Sequence, residues 1–144
     1  MNLGSEQETA ALGGQLALVA RRGDVIALSG PLGVGKTALV RGFLAALGHL
    51  DEVPSPTFAI VQPYDGLEPP AWHVDLYRIE RASELAELGL DAAGDAVLLV
   101  EWPERAGDRA WPNALHLSLE FAVADARRLT AQVPPAWEGR WPPR

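Results

Sequence analysis

Eight consecutive residues, Gly30-Pro31-Leu32-Gly33-Val34-Gly35-Lys36-Thr37, constrain this chain more than any other feature, because they match G-x-x-x-x-G-K-[ST]. Such a loop works in one setting. A buried strand delivers the chain to it and a helix leaves it, so that glycine backbone curls with successive N–H groups aimed at one anion. The helix adds its free N–H groups and its positive dipole end at the same point. Both flanks are present. Val25-Ile26-Ala27-Leu28 reads as a short buried strand. From Gly35-Lys36 onward, Leu39, Val40, Phe43, Leu44 and Leu47 recur at helical spacing as far as Gly48. An ordinary glycine turn lacks that context. In a phosphate loop, Lys36 supplies a mobile cation for the β and γ phosphates, and the Thr37 hydroxyl becomes a magnesium ligand.

The remaining pattern places the loop in a fold. Ser5-Glu6-Gln7-Glu8 forms a capping box, and Leu12, Leu16 and Val19 follow at helical spacing, which predicts a first helix reaching Arg22 and ended by Gly23. Pro54, Pro56, Pro63 and Pro69-Pro70 predict loops around short strands near 57–62 and 71–76. Residues 81–88 read as a short helix stopped by Gly89, and Ala96-Val97-Leu98-Leu99-Val100 as a second buried strand. Leu115–Leu119 and Leu129–Val133 alternate, predicting a terminal antiparallel pair. The predicted fold is α/β and P-loop NTPase-like: a mostly parallel central sheet with antiparallel C-terminal edge strands and helices on both faces. One domain is expected over residues 1–133. The tail 134–144, with four prolines, is expected to be irregular or frayed.

Charge and composition narrow the partners. Net charge is −7 with a pI near 4.9 and no basic stretch, which argues against direct binding of nucleic acid. There is no cysteine for disulfide or thiolate chemistry. No apolar run nears the roughly 18 residues of a membrane helix, and Met1–Glu6 show no secretory pattern. A cytoplasmic protein without membrane contact is expected.

Magnesium also needs a carboxylate at the end of a neighbouring strand, and two qualify. Glu101 directly follows the run 96–100, and Asp75 ends the weaker strand 71–74. For each, the ordinary alternative is a strand-end salt bridge. Asp75 also suits the orientation of a water for hydrolysis. The Asn-Lys-x-Asp signature of guanine readers is absent, since neither Asn2 nor Asn113 is followed by Lys. His49, His73 and His116 lack metal-site spacing and receive no role. Tyr77-Arg78 and Trp102 sit beside the candidate acids, where phosphate or partner contact competes with plain packing or a salt bridge.

Further along the chain, Ser55-Pro56-Thr57-Phe58, His73-Val74-Asp75-Leu76-Tyr77-Arg78, Glu87-Leu88-Gly89 and Leu99-Val100-Glu101-Trp102-Pro103-Glu104 follow the phosphate loop. In order and spacing this set resembles the TsaE family across roughly residues 5–133. The resemblance implies a bacterial cytoplasmic ATPase, weak alone, that works with TsaD and TsaB in attaching threonylcarbamoyl to adenosine 37 of tRNAs reading ANN codons. Contact with tRNA is implied only indirectly, through the complex. By matching positions, Leu32, Gly33, Val34, Gly35, Lys36 and Thr37 hold the phosphates of ATP, Thr37 and Glu101 hold Mg2+, and Asp75 supports hydrolysis. Thr57, kept extended by Pro54 and Pro56, would sense the γ-phosphate. Glu6 or Thr9, and Glu104, would touch the nucleoside. Two other readings of a small P-loop chain stay open at this point: a small-molecule kinase, and a non-catalytic nucleotide-gated adaptor.

Overall fold

One sheet of seven strands organises residues 1–53, 60–107 and 110–143, the parts of the chain that the computed structural model describes. In chain order the elements are β1 (Asn2–Leu3), α1 (Glu6–Val19), β2 (Val25–Ser29), α2 (Lys36–Ala46), β3 (Val61–Tyr64), β4 (Ala71–Asp75), β5 (Val97–Glu101), β6 (Leu115–Phe121) and β7 (Arg127–Gln132). The strands lie in the order β1-β7-β6-β2-β5-β4-β3. The pairs β6–β2, β2–β5 and β5–β4 are parallel, while β1–β7, β7–β6 and β4–β3 are antiparallel. The fold class is therefore the expected one, with antiparallel pairing at both edges rather than only at the C-terminal edge.

Alternation decides which side of the sheet each residue faces. Ile26 and Leu28 of β2, Leu99 of β5, and Leu115 and Leu117 of β6 pack with Phe43 of α2 in the main core. Each fully buried Leu or Phe there contributes roughly 1.5–3 kcal/mol. Both α-helices cover this side, and they approach each other closely at two glycines. A Cβ on Gly13 would overlap the Leu39 carbonyl, and one on Gly42 would overlap the Ala10 carbonyl. Side chains at either position would push α1 and α2 apart.

The opposite side carries a second core around Trp72, Val74, Ile79 and Val100. It is covered by 3-10 turns at Ala82–Leu88, Leu90–Ala93 and Pro103–Ala106 rather than by α-helix. The predicted short helix at 81–88 is thus a 3-10 segment, ended by Gly89 at φ 69° as expected. None of its residues is fully buried, so little packing holds it in the longer-range α form.

Two expectations need correction. Helix α1 stops at Val19 instead of Arg22, because its last turn is met by another part of the chain: the Val19 carbonyl accepts from Arg140 Nη1 at 3.0 Å. The tail is correspondingly not frayed. Trp137 is fully buried in the main core, and Arg140 pairs with Asp24 at 2.6 Å. At the other end of α1 Ser5 caps the helix as expected, with Glu8 N–H donating to Ser5 Oγ at 3.2 Å, while the Glu8 carboxylate reaches one residue further back and accepts from Gly4 N–H. The strand predicted at 57–62 begins at Val61, and residues 54–59 lie outside the described segments.

Candidate functional site

The carboxyl ends of β2, β4 and β5 meet at one crevice, where open α/β sheets place their ligands. The cleft has a volume of about 480 Å³ and is walled by the phosphate loop on one side and by Asp75, Tyr77, Glu101 and Trp102 on the other. That volume lies within the usual range for a cofactor-sized ligand. The loop has the backbone that its glycines imply. Gly35, at φ 118°, is the N-cap of α2, so a left-handed residue turns the amides of the first helical turn toward the cleft.

Lys36 reaches back over the loop. Its Nζ donates to the Gly30 carbonyl and, at 3.2 Å, to that of Pro31, and lies 4.2 Å from the centre of the Trp102 ring. Burial pushes this ammonium below its ordinary pKa, and the charges of Glu101 and Asp75 pull it back up. Its hydrogen-bond partners among the described residues are both backbone carbonyls. Such contacts are readily exchanged for phosphate oxygens, which bond a cation more strongly.

Strand register sets the two carboxylates side by side, Asp75 opposite Glu101. Glu101 is buried, and its Oε2 accepts from Thr37 Oγ1 at 3.1 Å and lies 2.6 Å from His73 Nε2. Asp75 accepts from the Tyr77 N–H at 2.9 Å. Burial raises the Asp75 carboxyl above the usual carboxylate range and the Glu101 charge raises it further, against the lowering effect of that N–H. Trp102, next in the chain, is held left-handed at φ 58°, a strained conformation of the sort that clusters at functional sites. Among the described residues no group of three or more His, Asp or Glu could hold a metal by protein ligands alone. A hydroxyl and a carboxylate in contact suit Mg2+, which takes one or two protein ligands and fills its octahedron with phosphate and water.

The cleft wall gathers Glu6, Thr9, the loop from Leu32 to Thr37, Asp75 and Glu101. Thr9 is buried with its hydroxyl on the Ser5 carbonyl at 3.2 Å, and Glu6 approaches Arg41 at 3.7 Å. Glu104 lies off this wall. The turn Pro103–Ala106 carries it to a neighbouring cavity of about 340 Å³ beside Ser29 and His116, although its charge still reaches Lys36. Thr57 lies outside the described residues. Arg78 also lines the cleft. Sequence reading missed two residues. Arg127 of β7 braces the loop by donating from Nε to the Val34 carbonyl at 3.0 Å, a contact across 93 residues that no local pattern reveals. His73 holds Glu101, and its signal was available: it stands two residues before Asp75 on one strand and so shares its face.

The family model for threonylcarbamoyl adenosine biosynthesis protein TsaE matches residues 3–129. The chain belongs to the TsaE family. Its TsaE relatives include the Streptomyces coelicolor tRNA threonylcarbamoyladenosine biosynthesis protein TsaE, 43% identical over 79% of this chain and 80% of that protein. The Bacillus subtilis TsaE is 39% identical over 86% of this chain and 78% of its own length. Among solved structures, Bacillus subtilis YdiB superposes with a TM-score of 0.77 at 30% identity, covering 94% of this chain and 85% of that one. The TsaE match ends before the tail that carries Trp137 and Arg140. No helix among the described residues is long and apolar enough to cross a membrane.

Proposed function

We propose that this protein binds and hydrolyses ATP with Mg2+ in the cytoplasm, as the TsaE subunit that acts with TsaB and TsaD in forming the threonylcarbamoyl group on adenosine 37 of tRNAs reading ANN codons. The observation that carries the reading is the contact of Thr37 Oγ1 with Glu101 Oε2, 3.1 Å, at the foot of a phosphate loop in a nucleotide-sized cleft. The amides of Leu32–Thr37 and the Lys36 ammonium take the phosphates, and exchange of the Gly30 and Pro31 carbonyls for phosphate frees Lys36 to follow charge onto the leaving group. Thr37 and Glu101 would hold the metal, which would supply neutralisation of the polyphosphate charge. Asp75, whose carboxyl burial raises above the usual carboxylate range, orients the attacking water. Glu6 and Thr9 are assigned to the nucleoside side of the cleft. With net charge −7, tRNA is met through the partners rather than through this chain.

Phosphate release from ATP and Mg2+ should be slow for the purified protein and altered when TsaB and TsaD are added. Cells lacking the protein should lack threonylcarbamoyl-A37 by nucleoside mass spectrometry. Normal modification in its absence would overturn the assignment, and a phosphorylated metabolite in place of free phosphate would reassign the chain as a kinase.

A further inference from the structure

We infer that His73 is a positioning residue that aims the Glu101 carboxylate at Thr37 and thereby sets how tightly the cleft holds a divalent cation. The inference rests on the reading of the cleft as a magnesium–nucleotide site. His73 is wholly buried on β4, facing the same side of the sheet as Asp75. Its register partner is Leu99, yet its ring reaches diagonally to the next residue on that face, placing Nε2 2.6 Å from Glu101 Oε2. A buried carboxylate needs donors, because an ionised group without them is costly in a low-dielectric interior. Among the described residues the side chains that donate to Glu101 are Thr37 and His73.

The two donors differ in what else they do. Thr37 is itself a ligand candidate, so its hydroxyl is shared between the carboxylate and the bound ion. His73 is wholly buried and is not among the residues that line the cleft, and it holds Oε2 from within the protein. Oε1 is left as the freer acceptor, since its contact to Thr37 Oγ1 is 3.4 Å. His73 Nδ1 has no hydrogen-bond partner among the described residues. The tautomer with its proton on Nε2 satisfies the carboxylate and leaves only a lone pair unmatched. The strong contact of the ring goes to the same carboxylate oxygen that accepts from Thr37 of the phosphate loop, which ties the histidine to that carboxylate's orientation and not only to packing. Outer partners of this kind orient the ligating group, and their loss costs roughly 10–100-fold in metal affinity or activity.

The test is binding of a fluorescent ATP analogue titrated with Mg2+, with metal-free affinity measured in chelator. His73→Leu should raise the Mg2+ concentration at half-maximal effect by about 10–100-fold while metal-free nucleotide affinity stays near wild type. His73→Gln, whose amide can donate where Nε2–H did, should recover most of that loss. His73→Asn, polar but too short to reach Oε2, should behave as His73→Leu, and it carries the test if the leucine variant does not fold. An unchanged Mg2+ midpoint overturns the inference. Equal losses in the glutamine and asparagine variants, or equal losses with and without metal, assign His73 to packing. Wild-type protein whose nucleotide binding ignores Mg2+ would instead overturn the reading of the cleft itself.

Discussion

Lys36 and Arg140 each lie close over a tryptophan face, and their settings differ in one respect. Lys36 Nζ is 4.2 Å from the Trp102 ring and Arg140 Cζ is 4.0 Å from that of Trp137. Both also bond backbone carbonyls: Lys36 those of Gly30 and Pro31, Arg140 those of Val19 and Ala136. Arg140 in addition holds Asp24 through two bonds, 2.6 and 3.1 Å, in a fork that matches the carboxylate. Lys36 has carboxylates nearby but is hydrogen-bonded to none among the described residues. A completed pair ties the tail to the end of α1. An incomplete one leaves a charge that a phosphate can complete. On the proposed function, the same local device serves stability in one place and ligand binding in the other.

If that distinction is right, damage at the tail should fall on stability. Trp137→Ala removes a wholly buried side chain and should destabilise the fold by about 3–5 kcal/mol, read from urea denaturation. Asp24→Asn takes the carboxylate from the partly buried Arg140 guanidinium and should destabilise by less, because the Val19 and Ala136 carbonyls still hold it. At temperatures where both variants remain folded, nucleotide affinity should match wild type. A tail that is dispensable for stability would break the comparison at this end.

Lys36→Ala should do the reverse. Removing a preorganised cation from a developing phosphate charge typically costs 10²–10³-fold in rate, about 2.7–4 kcal/mol, and phosphate release should fall by that much. Stability should hold or rise slightly, because burial disfavours this ammonium in the empty protein. A variant that loses as much stability as Trp137→Ala would show that Lys36, too, is structural.

How far the sequence reveals this contrast depends on distance along the chain. The loop is legible because its strand, glycines, lysine and helix are contiguous, and periodicity reports each. The strand ends carrying Asp75 and Glu101 are legible for the same reason. What escapes is pairing between remote segments. His73 meets Glu101 across 28 residues, Arg127 meets Val34 across 93, and Arg140 meets Asp24 across 116. The end of α1 was misplaced because its capping group lies 121 residues away, in a proline-rich stretch whose composition resembles a loose end. Composition reports backbone freedom but not the tryptophan and arginine that remove it.

The finest test sets one carboxylate of each region against the other. Asp24→Asn should destabilise, whereas the same change at Asp75 should stabilise the empty protein while impairing turnover. Burial and the neighbouring Glu101 hold the Asp75 carboxyl above its ordinary pKa, so the folded state keeps its proton more firmly than the unfolded chain. Stability from this group is therefore present below the ordinary carboxylate value and lost as pH rises through the raised one. Asp75→Asn escapes that loss. Its Tm should exceed wild type by no more than about 3 °C near neutral pH, since solvent in the open cleft screens the charge. The difference should close as pH falls toward about 4. A loss at neutral pH would mean that Asp75 is paired in the folded protein, as Asp24 is; a gain that persists in acid would come from something other than its charge, and either result would mean that the cleft stores no uncompensated charge.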